Sequence, residues 1–414
     1  MNWNSSTLGN SLSLIRNGLS CKQNKSCKGE RISRIETIAN AEINPDKIGY
    51  APLTDSQKEK YKLKQGDILF SHINSAIHVG KTAYVDKDHD LYHGMNLLLL
   101  RPSEGVASRF LEYYLKQLFW SGYWQVRCKR SVNQASVNQK DIKKVPFAYP
   151  PILEQKRIVA ILDEAFAGID QAIANTEKNL ANAREVFESY LNEVFTQKGT
   201  DWIATSLVNE IELLTGFAFK SKDYSEEPDG IRLLRGDNIV QGAFRWESAK
   251  KWSANDVDSY TKYYLRAGDV VLAMDRTWVK AGLKYAQIGE KDLPCLLVQR
   301  VARLRPKSDL DSNFLKYLIS SKEFTKYVLS IQTGSGVPHI SGAQIKAFQF
   351  GKPTTAIQKK ISAELDKLHL ETQHLESIYQ KKLNALAELK QSILHKAFTG
   401  ELTHSPEQEF AEVC

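Results

Sequence analysis

Laid on itself at an offset near 200 residues, the chain repeats along its whole length, which limits its fold to two copies of one plan. LGNSLSLI (8–15) matches LVNEIELL (207–214), and Arg34 and Ile38 match Arg235 and Ile239. KLKQGDILFS (62–71) matches YLRAGDVVLA (264–273), which sets Gly66-Asp67 on Gly268-Asp269 and Gly80 on Gly282. RPSEGVASRFLEYYL (101–115) matches RPKSDLDSNFLKYL (305–318). From Gln155 to Thr196 a constant offset of 203 gives 13 identities in 42 residues, where chance gives about two or three. The 414 residues therefore read as twice about 203 plus a short C-terminal tail, 402–414.

Each copy divides into two unlike parts. Residues 1–150 and 200–352 carry short apolar runs such as DILFS (67–71), MNLLLLRP (95–102), DVVLAM (269–274) and VQRVARLRP (298–306), punctuated by Gly, Pro, Asn and Asp. Such runs predict strands and turns, with a helix around Phe110–Leu118 and its copy Phe314–Ser321. These are two mixed α/β globules.

A long helical pattern follows each globule, over 151–199 and 353–401. In the first, Leu162, Phe166, Ile169, Ile173, Thr176, Leu180, Ala183, Phe187, Tyr190 and Val194 recur at alternating steps of four and three, as on a helix packed along a partner. The second stripe is Ile361, Leu365, Leu368, Thr372, Leu375, Tyr379, Leu386, Leu389 and Ile393, shifted in register by about one position. About 33 residues at ~1.5 Å each span about 50 Å. Pro150-Pro151 and Pro353 mark the entries, Gly199 and Gly400 the ends. Two such stripes can bury each other, and the intervening globule favours an antiparallel pair. The expected class is α+β: two mixed globules joined by two long antiparallel helices as a coiled-coil rod, with a pseudo-two-fold internal repeat. The alternatives are a plain spacer, or two chains meeting in a four-helix bundle.

With 42% hydrophobic residues the chain can build ordinary cores, and no run approaches the roughly 18–20 apolar residues of a membrane span. The N-terminus MNWNSSTLGN lacks the basic and apolar regions of a signal peptide, so the expected location is the cytoplasm. Cys21, Cys27, Cys128, Cys295 and Cys414 are odd in number and scattered, which suits free thiols; their spacing offers no zinc knuckle. The net charge of +8 is a mild basic excess, compatible with a polyanionic partner.

A globule, a long helix opening Pro150-Pro151-Ile152-Leu153-Glu154-Gln155, a related globule and a second helix closing KAFTGEL (396–402) resemble the specificity (S) subunit of type I restriction-modification systems. The specific parts are PPILEQKRIVAILD (150–163), LNALAELKQSILHKAFTGEL (383–402) and the twin Gly-Asp segments. The resemblance covers nearly the whole chain. It implies that the globules are target recognition domains, each reading half of a split double-stranded DNA site across the major groove. The helices would fix the half-site separation and dock two methyltransferase (modification) subunits, with Glu154, Gln155 and Gln358 at the docking positions. Ile357 stands where the first copy has Glu154, so the two docking sites would differ if that Glu contacts a partner. The resemblance further implies restriction/translocase subunits; S-adenosylmethionine, ATP and Mg would belong to the partners and none of them to this chain.

Two readers on a rigid rod suit a bipartite site, since half-site spacing follows protein geometry. Reading needs cations for phosphates and flexible polar groups for base edges. After the first Gly-Asp strand the candidates are His72, Asn74, Ser75, His78 and Lys81; after the second, Asp275, Arg276, Thr277, Trp278, Lys280 and Lys284. Before the first long helix lie Arg127, Lys129, Arg130, Asn133, Gln134, Asn138 and Lys140, and before the second Thr333, Ser335, His339 and Gln344. Arg276 with Lys280 is the sharpest pair, because both sit at the tip of an otherwise apolar segment. The loops differ between copies while the framing strands match, as different half-sequences require.

The sequence offers no catalytic set. Tyr149-Pro150-Pro151-Ile152 lacks the amide or carboxylate and the aromatic residue of an amino-methyltransferase motif, and no Gly-rich turn accompanies it. GxxxxGK[ST] is missing. Glu154-Gln155-Lys156 and Glu388-Leu389-Lys390 have a nuclease-like spacing but fall on the helices, and His89/His93 lie in an acidic turn. A non-catalytic subunit is expected. The alternatives are a protein-interaction scaffold with two ligand-binding globules on a rod, which salt-insensitive protein binding would favour, or the specificity subunit of a related phage-defence system.

Overall fold

The computed structural model describes residues 3–403 other than Lys25, Asn133, Lys198, Thr200 and Ser335, so the expected site residues Asn133 and Ser335, and the tail from His404 on, lie outside the described residues. The chain forms two compact units. Unit 1 joins Met1–Glu177 to Gln380–Cys414, and unit 2 is Lys178–Tyr379. The division cuts both long helices at mid-length, so each unit is one globule with half of each helix.

In unit 1 the central sheet is antiparallel, ordered Leu12–Asn17, Leu97–Pro102, Ile68–Ser71, Thr82–Tyr84. Ile68, Leu69, Phe70 and Leu97 to Leu100 are fully buried, because both faces of the sheet are covered. One face meets the helix Ser108–Trp120 through Phe70, Leu98 and Phe110; the other holds Leu69, Leu97 and Leu99 against Ile38 and Leu63. Asn4–Thr7 pairs with Pro146–Tyr149 and leads into the first long helix. Unit 2 repeats the plan. Its sheet runs Ile211–Thr215, Val301–Pro306, Val270–Ala273, Tyr285–Gln287, and Ile203–Ser206 pairs with Gln349–Lys352.

The twin Gly-Asp pairs have a structural cause. Gly66 (φ 92°) and Gly268 (φ 88°) turn in the left-handed region that glycine enters freely. The turn sets Asp67 to accept from Arg101 Nε and Nη2 at 2.7 and 2.9 Å and from the Lys64 amide at 2.9 Å. Asp269 does the same with Arg305 (2.7 and 2.7 Å) and the Arg266 amide (2.8 Å).

Ile152–Thr196 and Thr355–Thr399 are helices of 45 residues each. In unit 2 their halves run antiparallel: Arg184 meets Glu376, Phe187 meets His369 and Tyr190 meets Glu364. In unit 1 Lys390 reaches Asp170 at 2.5 Å and lies over the Phe166 ring. Of the expected seam, Leu162, Ile169 and Leu365 are buried, and Ile173, Leu180, Phe187, Leu368, Leu386 and Ile393 are half-buried. Leu375 (40% exposed) and Leu389 (45% exposed) lie off it, contrary to the sequence expectation. After Thr372 and Leu386 the seam advances four residues, not three, so Glu376 and Lys390 occupy it and extend their charges to Arg184 and Asp170.

The helix ends complete the cores. Phe398 packs on Phe110 (5.0 Å) and Tyr114 (5.3 Å) in unit 1, and Phe195 packs on Phe314 (5.3 Å) in unit 2. Gly400 (φ 83°) then stops the second helix, and the amides of Glu401 and Leu402 turn back to the Lys396 carbonyl.

Candidate nucleic-acid interface

Unit 1 joins its two expected loops into one small sheet. Ile73–Asn74, just past the Gly-Asp strand, pairs with Gln134–Ser136, which pairs in turn with Lys129–Ser131. Beside this sheet runs a groove of about 820 Å³ that includes His72, Lys129, Asn138 and Lys140 and adds Asn17, Gln139 and Lys143, which the sequence reading missed. The available signal for Lys143 was the repeat itself, since it falls on Lys346 at offset 203. Ser75, His78, Arg127, Lys129, Arg130, Gln134 and Lys140 are exposed. Arg127 stacks 3.9 Å from the Tyr123 ring centre, and Arg130 donates to the Gln125 carbonyl.

Four expected readers in unit 1 are neutral or already bonded within the fold. Burial pulls the His72 pKa down to about 4, so its ring is neutral near pH 7 and is no phosphate cation. Lys81 donates to the Ala39 carbonyl at 2.5 Å, and burial lowers its pKa. The Asn74 side chain donates to Ser71 Oγ and accepts from the Ser75 amide. Asn138 caps the helix Gln139–Lys143, taking the Asp141 amide at 2.9 Å.

Unit 2 also brings its two segments together. The Arg276 amide donates to the Pro338 carbonyl at 2.7 Å and the Ile340 amide to the Met274 carbonyl at 2.9 Å, while His339 bridges to Asp275 and Thr333. Trp278–Val279 and Gly282–Leu283 form a hairpin that leaves Lys280 exposed and Trp278 40% exposed. Arg276 is exposed at φ 46°. Arg300, which the sequence reading missed, stands 3.6 Å from Asp275.

Again some expected readers serve the fold. Thr277 is buried and donates to the Met274 carbonyl. Gln344 accepts from the Ser341 amide and donates to the Ile331 carbonyl, so it closes a capping box. Lys284 is half-buried, and burial lowers its pKa, with Arg276 and Arg245 adding to the effect and Asp237 opposing it. Thr333 and His339 are within 3.3 Å through Oγ1 and Nε2.

The docking expectation needs correction. Gln155 is fully buried: it accepts from the Ala107 amide and donates to the Gly105 and Pro150 carbonyls. Gln358 repeats this with the Asp311 amide and the Asp309 and Pro353 carbonyls. Both side chains clamp a helix entry to its own globule and offer nothing to a partner. Glu154 has one carboxylate oxygen 3.8 Å from Arg157 and the other buried without a hydrogen bond, and exposed Ile357 holds its place in unit 2.

His89 contacts Asp86, and fully buried His93 contacts the Leu97 carbonyl, burial pulling its pKa to about 3. Among the described residues no group of three or more His, Cys, Asp or Glu is placed to hold a metal. No described helix is long and apolar enough to cross a membrane.

The chain matches the type I restriction modification DNA specificity domain twice, over residues 2–181 and 191–385. It is 29% identical to the putative type I restriction enzyme MjaX specificity subunit of Methanocaldococcus jannaschii, over 97% of this chain and 93% of that protein. It is 25% identical to the type I restriction enzyme StySPI specificity subunit of Salmonella potsdam, over 90% and 82%. The HsdS subunit of Thermoanaerobacter tengcongensis shares the fold at a TM-score of 0.57 and 19% identity, over 97% of each chain. So does a chain from a structural study of complex assembly and conformational transition of the type I R-M system, at 0.75 and 18% over 97% and 98%. Two domain matches spanning most of the sequence, on a duplicated fold whose variable loops converge in each copy, show that the chain belongs to the type I restriction-modification DNA specificity family.

Proposed function

We propose that each unit reads one half of a bipartite duplex target, through the paired loop segments beside its Gly-Asp strand. The observation that carries this is the convergence of the variable segments on one repeated framework: Ile73–Asn74 with Gln134–Ser136 in unit 1, Asp275 and Arg276 with Pro338 and His339 in unit 2. A shared scaffold with different exposed side chains is what two different half-sequences require. The long helices would set the unread gap. Glu154 is the docking candidate that remains after the two glutamines are removed; exposed Leu153 lies beside it, and exposed Ile357 takes its place in the second copy.

In this reading the chain recognises and its partners react. Two modification subunits methylate adenine with S-adenosylmethionine, and restriction/translocase subunits use ATP and Mg. The partners also supply much of the phosphate neutralisation, since +8 is small for 414 residues. Sequencing methylated adenines in a host carrying this chain and its modification partner tests the proposal. Two half-motifs with a fixed gap are expected; a continuous motif, or none, overturns it.

A further inference from the structure

Between Glu112 and Asp141 the chain has no acidic residue and five cations, Lys116, Arg127, Lys129, Arg130 and Lys140. Within that stretch Lys129–Ser131 and Gln134–Ser136 pair as a hairpin ribbon, two strands of the three-stranded sheet that Ile73–Asn74 completes. Its base is fixed, because Ala135 is buried in the unit 1 core and Ile73–Asn74 pairs along the outer edge. At its tip Val132 is 91% exposed, and Val126 just ahead of the ribbon is 77% exposed. Turn positions ordinarily take Gly, Asn, Asp or Ser for conformational reasons, and a valine there forgoes the burial that normally makes it useful. The equivalent segment of unit 2, 332–339, has no Lys or Arg, and His339 there makes isolated bridges in place of a ribbon.

An apolar tip in a segment whose charged residues are all cations fits a polyanion that also presents apolar groups. Duplex DNA does this in the major groove, which is wide enough for a two-stranded ribbon and where thymine alone of the four bases carries a methyl. A protein partner would need acidic residues around an apolar pocket and nothing else, a narrower match. Valine has no hydrogen-bonding side-chain atom, so the thymine methyl is the base feature it can read.

We infer that the 129–136 ribbon enters the major groove at the unit 1 half-site and that Val132 determines one position by packing on a thymine methyl. This rests on the proposed DNA reading and specifies it. Lys129 and Arg130 flank the tip and Lys140 and Lys143 line the adjoining groove, so the backbone is gripped on the side from which the ribbon enters.

The test uses the full chain co-assembled with its modification subunits and fluorescently labelled duplexes carrying its split target. Each thymine of the unit 1 half-site is replaced in turn by uracil, which lacks only the methyl. One replacement should weaken wild-type binding about three- to tenfold, the scale of one buried methyl. The same replacement should be silent in Val132→Ala, which itself should bind the thymine duplex weaker by the same factor. An unchanged melting midpoint is expected for that variant, since the removed methyls are exposed; a lowered midpoint assigns Val132 to the fold and overturns the inference. A half-site without thymine, no uracil effect, or an effect that persists in Val132→Ala also overturns it while leaving the split-site reading intact. Loss of split-site preference in the wild type defeats that reading and takes this inference with it.

Discussion

The two units share the contacts that hold sheet turn, helix entry and short cap in place, and differ in what faces outward. Asp67 with Arg101 and Asp269 with Arg305 are interchangeable, as are Gln155 and Gln358 at the helix entries. Tyr113 donates to Asp163 and Tyr317 to Asp366. The capping box Asn138/Asp141 falls on Ser341/Gln344. Outside this framework the cations move: unit 1 carries them on the ribbon and groove (Lys129, Arg130, Lys140), unit 2 on the hairpin segment (Arg276, Lys280) with Arg300 nearby. Internal satisfaction makes the framework indifferent to what is read, so new exposed residues can be carried at little cost to the fold.

If the frameworks are equivalent, breaking the same bond in each should cost the same. Asp67→Ala leaves Arg101 and the Lys64 amide without their shared acceptor; Asp269→Ala does so to Arg305 and Arg266. Losing one partner of a largely buried ion pair costs about 3–5 kcal/mol, and the partial exposure of both arginines favours the low end. Hydrogen exchange should show each substitution opening its own unit by the same amount; unequal losses break the equivalence. Next in size are the aromatic plugs from the helix ends. Phe398→Ala should loosen unit 1 and Phe195→Ala unit 2, by about 2–4 kcal/mol each. Phe195 is only 2% exposed and Phe398 is half-buried, so the unit 2 loss should be the larger.

Acid should separate the units. Burial holds His93 at about 3 and His72 at about 4, both in unit 1, far below the ordinary 6.5. Below pH 6.5 the unfolded chain binds protons at both rings while folded unit 1 does not, so its stability falls as pH drops. The slope reaches about 1.4 kcal/mol per pH unit for each ring and ends near the two folded pKa values. Unit 2 has a half-buried His369 with a lowered pKa and no histidine as deeply enclosed as His93. Exchange measured from pH 7 to 4.5 should show unit 1 opening first; simultaneous opening contradicts this.

The duplication, the Gly-Asp strands and most of the helix seam were legible because repeated apolar spacing survives without knowledge of contacts. Leu375 and Leu389 misled because steps of three and four are both helical, and charged Glu376 and Lys390 hid the true seam. The small sheet of unit 1 was not legible: KRS and QAS show no alternation, and its third strand, Ile73–Asn74, is distant in sequence. Asn138 and Gln344 were misread although Asn138-x-x-Asp141 and Ser341-x-x-Gln344 have capping-box spacing. Gln155 and Gln358 could not be told from surface residues, because a buried polar side chain is recognised only by the backbone groups around it.

The smallest expected effect bears most directly on the comparison. Lys143 and Lys346 occupy the same place in the repeat, at the ends of the short helices Gln139–Lys143 and Gly342–Lys346. Lys143 lines a groove with Lys129 and Lys140, and Lys144 follows it; at offset 203, Ala343 and Ala347 replace Lys140 and Lys144. Each phosphate neutralised contributes about 0.9 to the slope of log affinity against log salt. Lys143→Ala should therefore lower that slope by about one for the cognate duplex, and equally for an unrelated duplex, since a phosphate contact carries no sequence information. Lys346→Ala should change it by less than half as much, because Ala343 and Ala347 stand where Lys140 and Lys144 flank Lys143. Equal changes would mean that both units grip phosphate through the shared framework, and the division between an inward framework and outward differences would fail at that residue.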